Sequence, residues 1–82
     1  MTKTGLFVGL ITLDLLYLTT TYPEKNQKIV AADHTITAGG PATNAAVTFS
    51  YFGNQTTLLC GLGNHPITHL IRADLEKHNV TI

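Results

Sequence analysis

The chain has 82 residues, with five Lys plus Arg against five Asp plus Glu, and 12% charged residues in all, about half the usual share. At this length it forms one small domain at most, and its balanced charge excludes the basic footprint of nucleic-acid binding or of adhesion to an acidic membrane. The single cysteine, Cys60, has no internal disulfide partner and, among apolar neighbours, reads as a reduced, buried thiol of a cytoplasmic protein.

In chain order, an apolar run behind Lys3 imitates a signal peptide. Asp14 interrupts it, no small-x-small cleavage site follows closely, and it is too short to cross a membrane. Residues 6–13 are instead expected to form one buried strand of a parallel sheet. Asp14 then stands at its carboxyl end, where open α/β sheets gather their ligands, although a turn or capping aspartate reads equally well. Residues 15–22 and 28–37 look extended and flank a polar turn at 23–27, a β-excursion from the main sheet. Asp33 and His34 adjoin in the second arm, but neighbouring strand residues face opposite sides, which opposes paired acid–base work.

The excursion leads into Ala38-Gly39-Gly40-Pro41-Ala42-Thr43-Asn44-Ala45-Ala46. Tandem glycines reach backbone angles closed to other residues and put no Cβ in the way of a ligand. Pro41 presets φ for the first position of a helix. Ala42, Ala45, Ala46, Phe49 and Phe52 then recur at helical spacing, with Gly53 placed as the left-handed residue after the helix. Asn44 falls in the first helical turn, an amide with donors and acceptors for a polyhydroxylated ligand.

Residues 55–60 read as a second core strand, followed by Gly61-Leu62-Gly63. A dinucleotide site would need a third glycine, and no Gly-Lys-Ser/Thr forms a phosphate loop. Residues 67–78 form an amphipathic helix with Ile67, Leu70, Ile71 and Leu75 on one face and Arg72, Asp74, Glu76 and Lys77 largely opposite. Asn64 or His65 is its cap candidate, Pro66 suits its first turn, and Asn79 is its left-handed C′ residue. His65 and His69 stand at i, i+4, but Pro66 separates them and no further ligand type joins at metal spacing. Residues 80–82 look like the start of another strand.

The glycine loop also carries a family likeness. Gly39-Gly40, Ala42, Asn44, Ala46, Gly53 and Gly63 resemble, step for step, the N-terminal signature of the ribokinase/PfkB-type carbohydrate kinases, and Asp14 stands where that family has a sugar-binding aspartate. The departure lies after Gly63: Asn64-His65-Pro66-Ile67-Thr68 replaces the family's aspartate and later glycine, and no role is carried onto that loop. The resemblance implies an α/β fold, the N-terminal part of a ribokinase-like three-layer sandwich, with lid strands at roughly 15–37 between the first strand and first helix. It implies a sugar or nucleoside substrate bound by Asp14, Gly39, Gly40 and Asn44, and a homodimer through the lid strands. It also implies ATP and Mg²⁺, held by residues outside these 82, with the catalytic base, in a Gly-Ala-Gly-Asp motif, also outside.

Residues 1–82 are thus expected to be the N-terminal segment of a single kinase domain that phosphorylates a sugar hydroxymethyl group. Alone they are expected to be inactive and either poorly folded or assembled with the remainder, because strands this apolar want helices on both faces. The alternative is a non-catalytic α/β module that binds a polar metabolite or pairs through an edge strand.

Overall fold

A computed structural model describes residues 2–82. Its elements are β1 (Thr4–Val8), β2 (Thr12–Leu18), β3 (Asp33–Gly39), α1 (Pro41–Tyr51), β4 (Gln55–Leu59), α2 (Thr68–Lys77) and β5 (Val80–Thr81). They form two sheets. One is parallel with order β1-β4-β5, and the other is the antiparallel ribbon β2-β3.

The parallel sheet is built by two crossovers, and its register runs from Thr4 opposite Gln55 to Val8 opposite Leu59. Along β4 burial alternates, with Thr56 and Leu58 buried and Thr57 and Leu59 exposed, so the helices cover one face only. On that face Ala46 of α1, Leu58 of β4, Ile71 and Leu75 of α2, Val80 of β5 and Ala38 of β3 make one core. The Ser50 hydroxyl ties the helices together, donating to the carbonyls of His78 (2.7 Å) and Asn79 (3.2 Å) at the end of α2. The other face is bare and shows Leu6, Val8 and Leu59, each more than half exposed.

The helix limits follow the local chemistry. Gly40 precedes α1 at φ +100°, Pro41 opens it, and Gly53 (φ +84°) and Asn79 (φ +59°) lie just past the ends of α1 and α2 in the left-handed region. The His65 ring accepts the Ile67 N–H at 3.1 Å in the turn that leads into α2, while the Thr68 hydroxyl donates to the His65 carbonyl.

Three expectations change. The apolar stretch 6–13 is not one strand: β1 ends at Val8, the chain breaks direction over residues 9–11, and β2 begins at Thr12. A Cβ on Gly9 would come within 2.7 Å of the Ala42 side chain, so α1 packs down on the break. Leu10 turns out to solvent at 81% exposure, and its apolar side chain is what hid the break. The arms of the excursion are also shorter than their composition suggests. Residues 19–32 form an irregular connection, closed by Ala32 N–H to Leu18 O at 2.7 Å, with the expected turn at Glu24 to Gln27. Finally, Phe52, Ile67 and Leu70 are exposed rather than core, whereas Thr43 and Ser50 are buried in α1. Asp74, placed on the polar face by composition, is half-buried against β3.

Candidate functional site

The break between β1 and β2 determines where Asp14 lies. It is the third residue of β2 rather than the end of the first strand, and it is paired across the ribbon with Thr37 of β3. Its carboxylate leans along the ribbon onto the Gly39 backbone. A Cβ on Gly39 would overlap this carboxylate, with Cγ at 2.5 Å. Thr12, two residues earlier on the same face of the strand, donates its hydroxyl to Asp14 Oδ1 at 2.8 Å. One carboxylate oxygen is thereby held by Thr12, and the other lies over the glycine.

Gly40 is the conformational pivot. It alone of the pair has positive φ, at +100°, an angle that strains any side chain. A Cβ there would also stand 2.7 Å from the Leu10 carbonyl oxygen. The two glycines thus do different things: Gly39 makes room for a carboxylate, and Gly40 makes the turn into α1.

Asn44 follows within the first turn, its N–H donating to the Gly40 carbonyl at 2.9 Å. Its side chain is exposed, and its carbonyl accepts the Thr48 hydroxyl at 2.9 Å. Asp14, Gly39, Gly40 and Asn44 are therefore strung along one short path, from carboxylate to glycine backbone to helix start. No side chain caps α1 and no acidic residue sits in its first turn, which leaves its N-terminal N–H groups to other partners. Just beneath, the Thr43 hydroxyl is fully buried and has no hydrogen-bond partner among the described residues.

Two residues of this region escape a reading by composition. Thr12 looks like one more strand threonine, although its i, i+2 spacing to Asp14 is the available clue. Asp74 accepts the Ala38 N–H at 2.9 Å and the Thr37 hydroxyl at 3.0 Å through the same oxygen, Oδ2. The clue is that Ile71, Asp74, Leu75 and His78 fall at i, i+3, i+4 and i+7, which puts the aspartate on the buried face.

The remaining candidates are dispersed. Asp33 Oδ1 accepts the His34 N–H at 2.8 Å, both residues are exposed, and His34 packs on Tyr17. Burial pushes the Cys60 thiol up from its ordinary range, against a smaller opposing pull from Arg72. Among the described residues, no three His, Cys, Asp or Glu side chains converge on a metal position, and no helix is long and apolar enough to cross a membrane.

The pfkB family carbohydrate kinase profile matches residues 4–82. Among solved structures, the chain is similar to a putative ribokinase from Agrobacterium tumefaciens, at a TM-score of 0.88 and 24% identity. That similarity covers 100% of this chain and 27% of the other, so the chain spans about a quarter of the structure it matches. The fold is that of the N-terminal part of a ribokinase-like domain. With nearly every residue inside the family profile, the chain belongs to the pfkB family of carbohydrate kinases.

Proposed function

We propose that these residues are the sugar-binding N-terminal segment of an ATP-dependent carbohydrate or nucleoside kinase, which transfers a phosphoryl group to a hydroxymethyl group of its substrate. The observation that carries this reading is the Asp14 carboxylate lying over Gly39. It is a half-buried acceptor, oriented by Thr12 and set beside a bare glycine backbone at the start of a helix. Asp14 accepts hydrogen bonds from two substrate hydroxyls, the Asn44 amide takes another, and Gly39 and Gly40 let the sugar ring approach the main chain. Charge-assisted bonds of this kind are the stronger ones. A site with such partners rejects ligands that lack the hydroxyls.

The work of these residues is orientation. Holding the attacking hydroxyl in line supplies several kcal/mol of a barrier, out of roughly 7–11 kcal/mol available to well-aligned reactants. In this reading ATP and Mg²⁺ are held by residues outside this segment; the sequence has no Gly-Lys-Ser/Thr phosphate loop, and among the described residues no three metal-ligand side chains converge. The phosphoryl-transfer step itself then belongs to residues outside this segment. In this reading the β2-β3 ribbon serves as a lid that keeps water from the sugar.

The test is a panel of sugars and nucleosides offered with ATP and Mg²⁺ to the full-length protein, with product read by mass spectrometry, alongside the intact mass of that protein. Phosphorylation of one class, lost in Asp14→Ala, is expected from a polypeptide several times this length. A natural product of 82 residues that binds a metabolite without turnover would favour the non-catalytic module.

A further inference from the structure

We infer that Asp74, on α2, is a positioning residue for the sugar site: its carboxylate pins the end of β3 where the strand turns into Gly39-Gly40. This inference rests on the proposed sugar-binding role of Asp14 and the glycine pair. Asp74 Oδ2 receives two bonds, from the Ala38 N–H (2.9 Å) and from the Thr37 hydroxyl (3.0 Å). Thr37 is the cross-strand partner of Asp14, and Ala38 immediately precedes the glycine that Asp14 covers. One carboxylate oxygen therefore grips both β3 residues that underlie the candidate sugar ligand.

The surroundings make the grip firm. The Asp74 side chain is only 15% exposed, and it sits between Ile71 and Leu75 of α2, which share a core with Ala38. Its other oxygen faces His78 Nδ1 at 3.7 Å, and the same ring nitrogen lies 2.8 Å from the Asp74 carbonyl. Without the carboxylate, the Ala38 N–H would face α2 unpaired at a buried position, which a strand end does not tolerate without moving. Asp74 does not touch the sugar in this account. It acts through β3, and a binding constellation loses its effect when its supports let it shift by a fraction of an ångström.

Because both bonds converge on one oxygen, an asparagine carbonyl in the same place can accept both. The experiment therefore uses Asp74→Ala and Asp74→Asn in the full-length protein, with KM for sugar and for ATP measured separately and amide exchange followed at residues 37–40. Asp74→Ala is expected to raise the sugar KM about tenfold, the scale of a lost bond to a charged group. The ATP KM should stay within about twofold, exchange at Ala38 should speed up, and Asp74→Asn should restore most of the loss. An unchanged sugar KM, a parallel rise in both KM values, or an asparagine as damaging as alanine would overturn the inference.

Should Asp74→Ala not fold, Thr37→Val, which removes the hydroxyl's bonds to Asp74 and to the Ala38 carbonyl but keeps the bond from the Ala38 N–H to Asp74, carries the test: a selective rise in sugar KM supports the role, and no change overturns it. If the wild type phosphorylates no sugar, the functional reading fails on its own, and amide exchange still decides whether Asp74 holds the strand.

Discussion

Two glycine pairs in this chain look alike in sequence, since both follow a strand and precede a helix. Their surroundings differ completely. At Gly39 a Cβ would strike the Asp14 carboxylate, and at Gly40 it would strike the Leu10 carbonyl; a Cβ on Gly61 or Gly63 would meet no atom of the described residues beyond its chain neighbours within 4 Å. Gly39 is bare where a carboxylate fills the space beside it and Gly40 turns at positive φ, whereas neither constraint acts on Gly61 or Gly63. A glycine-rich loop becomes a candidate site through what approaches it, and here that is a carboxylate held by Thr12.

Alanine substitution at each glycine sharpens this contrast. Gly40→Ala is expected to do the most damage, because positive φ alone costs about 1–3 kcal/mol and the Leu10 carbonyl adds a collision; denaturant unfolding of the full-length protein should show a loss at or above the top of that range. Gly39→Ala has no φ strain, so overpacking of about 1–3 kcal/mol is expected, with a loss of sugar affinity as Asp14 is displaced. Gly53→Ala separates the two causes. It has φ +84° but open space, so about 1 kcal/mol of strain and unchanged sugar binding are expected. Gly61→Ala and Gly63→Ala should stay within about 0.5 kcal/mol, as surface changes do. A large effect at either would mean that the second loop has a partner of its own. The smallest effect concerns Cys60, whose raised pKa leaves little thiolate at neutral pH, so alkylation should be slower than for free cysteine and should accelerate only above the usual thiol range.

What could be read from the sequence follows the same division. The helix start at Pro41, the left-handed positions at Gly53 and Asn79 and the strand at β4 were all legible, because each rests on a local preference. The family likeness was legible because it lies in spacing. The break between β1 and β2 was not, since Leu10 and Ile11 are as apolar as a strand interior while Leu10 is exposed. The break is instead made by the packing of Ala42 on Gly9. By sequence, Asp14 therefore falls at the end of the first strand, whereas in the structure it is the third residue of β2. The bond from Asp74 to β3 spans 36 residues, and no local preference encodes a contact at that range; composition sets Asp74 on the polar face, and only its i, i+3 spacing from Ile71 points to the buried one. The two helices cover one side of this sheet, and its other side leaves Leu6, Val8 and Leu59 exposed.

In the proposed function, Gly39 lacks a side chain because the Asp14 carboxylate uses that space to bind sugar. This is tested most directly by a double-mutant cycle on sugar affinity, measured calorimetrically in the full-length protein with the sugar it phosphorylates. Asp14→Ala is expected to weaken binding by about a hundredfold or more, the scale of two lost bonds to a charged group. Gly39→Ala is expected to weaken it about tenfold beside an intact Asp14, but hardly at all when Asp14 is already alanine, because residues in contact do not act additively. Equal effects of Gly39→Ala in both backgrounds, or an Asp14→Ala protein that binds sugar as the wild type does, would rule out a sugar-binding carboxylate over Gly39.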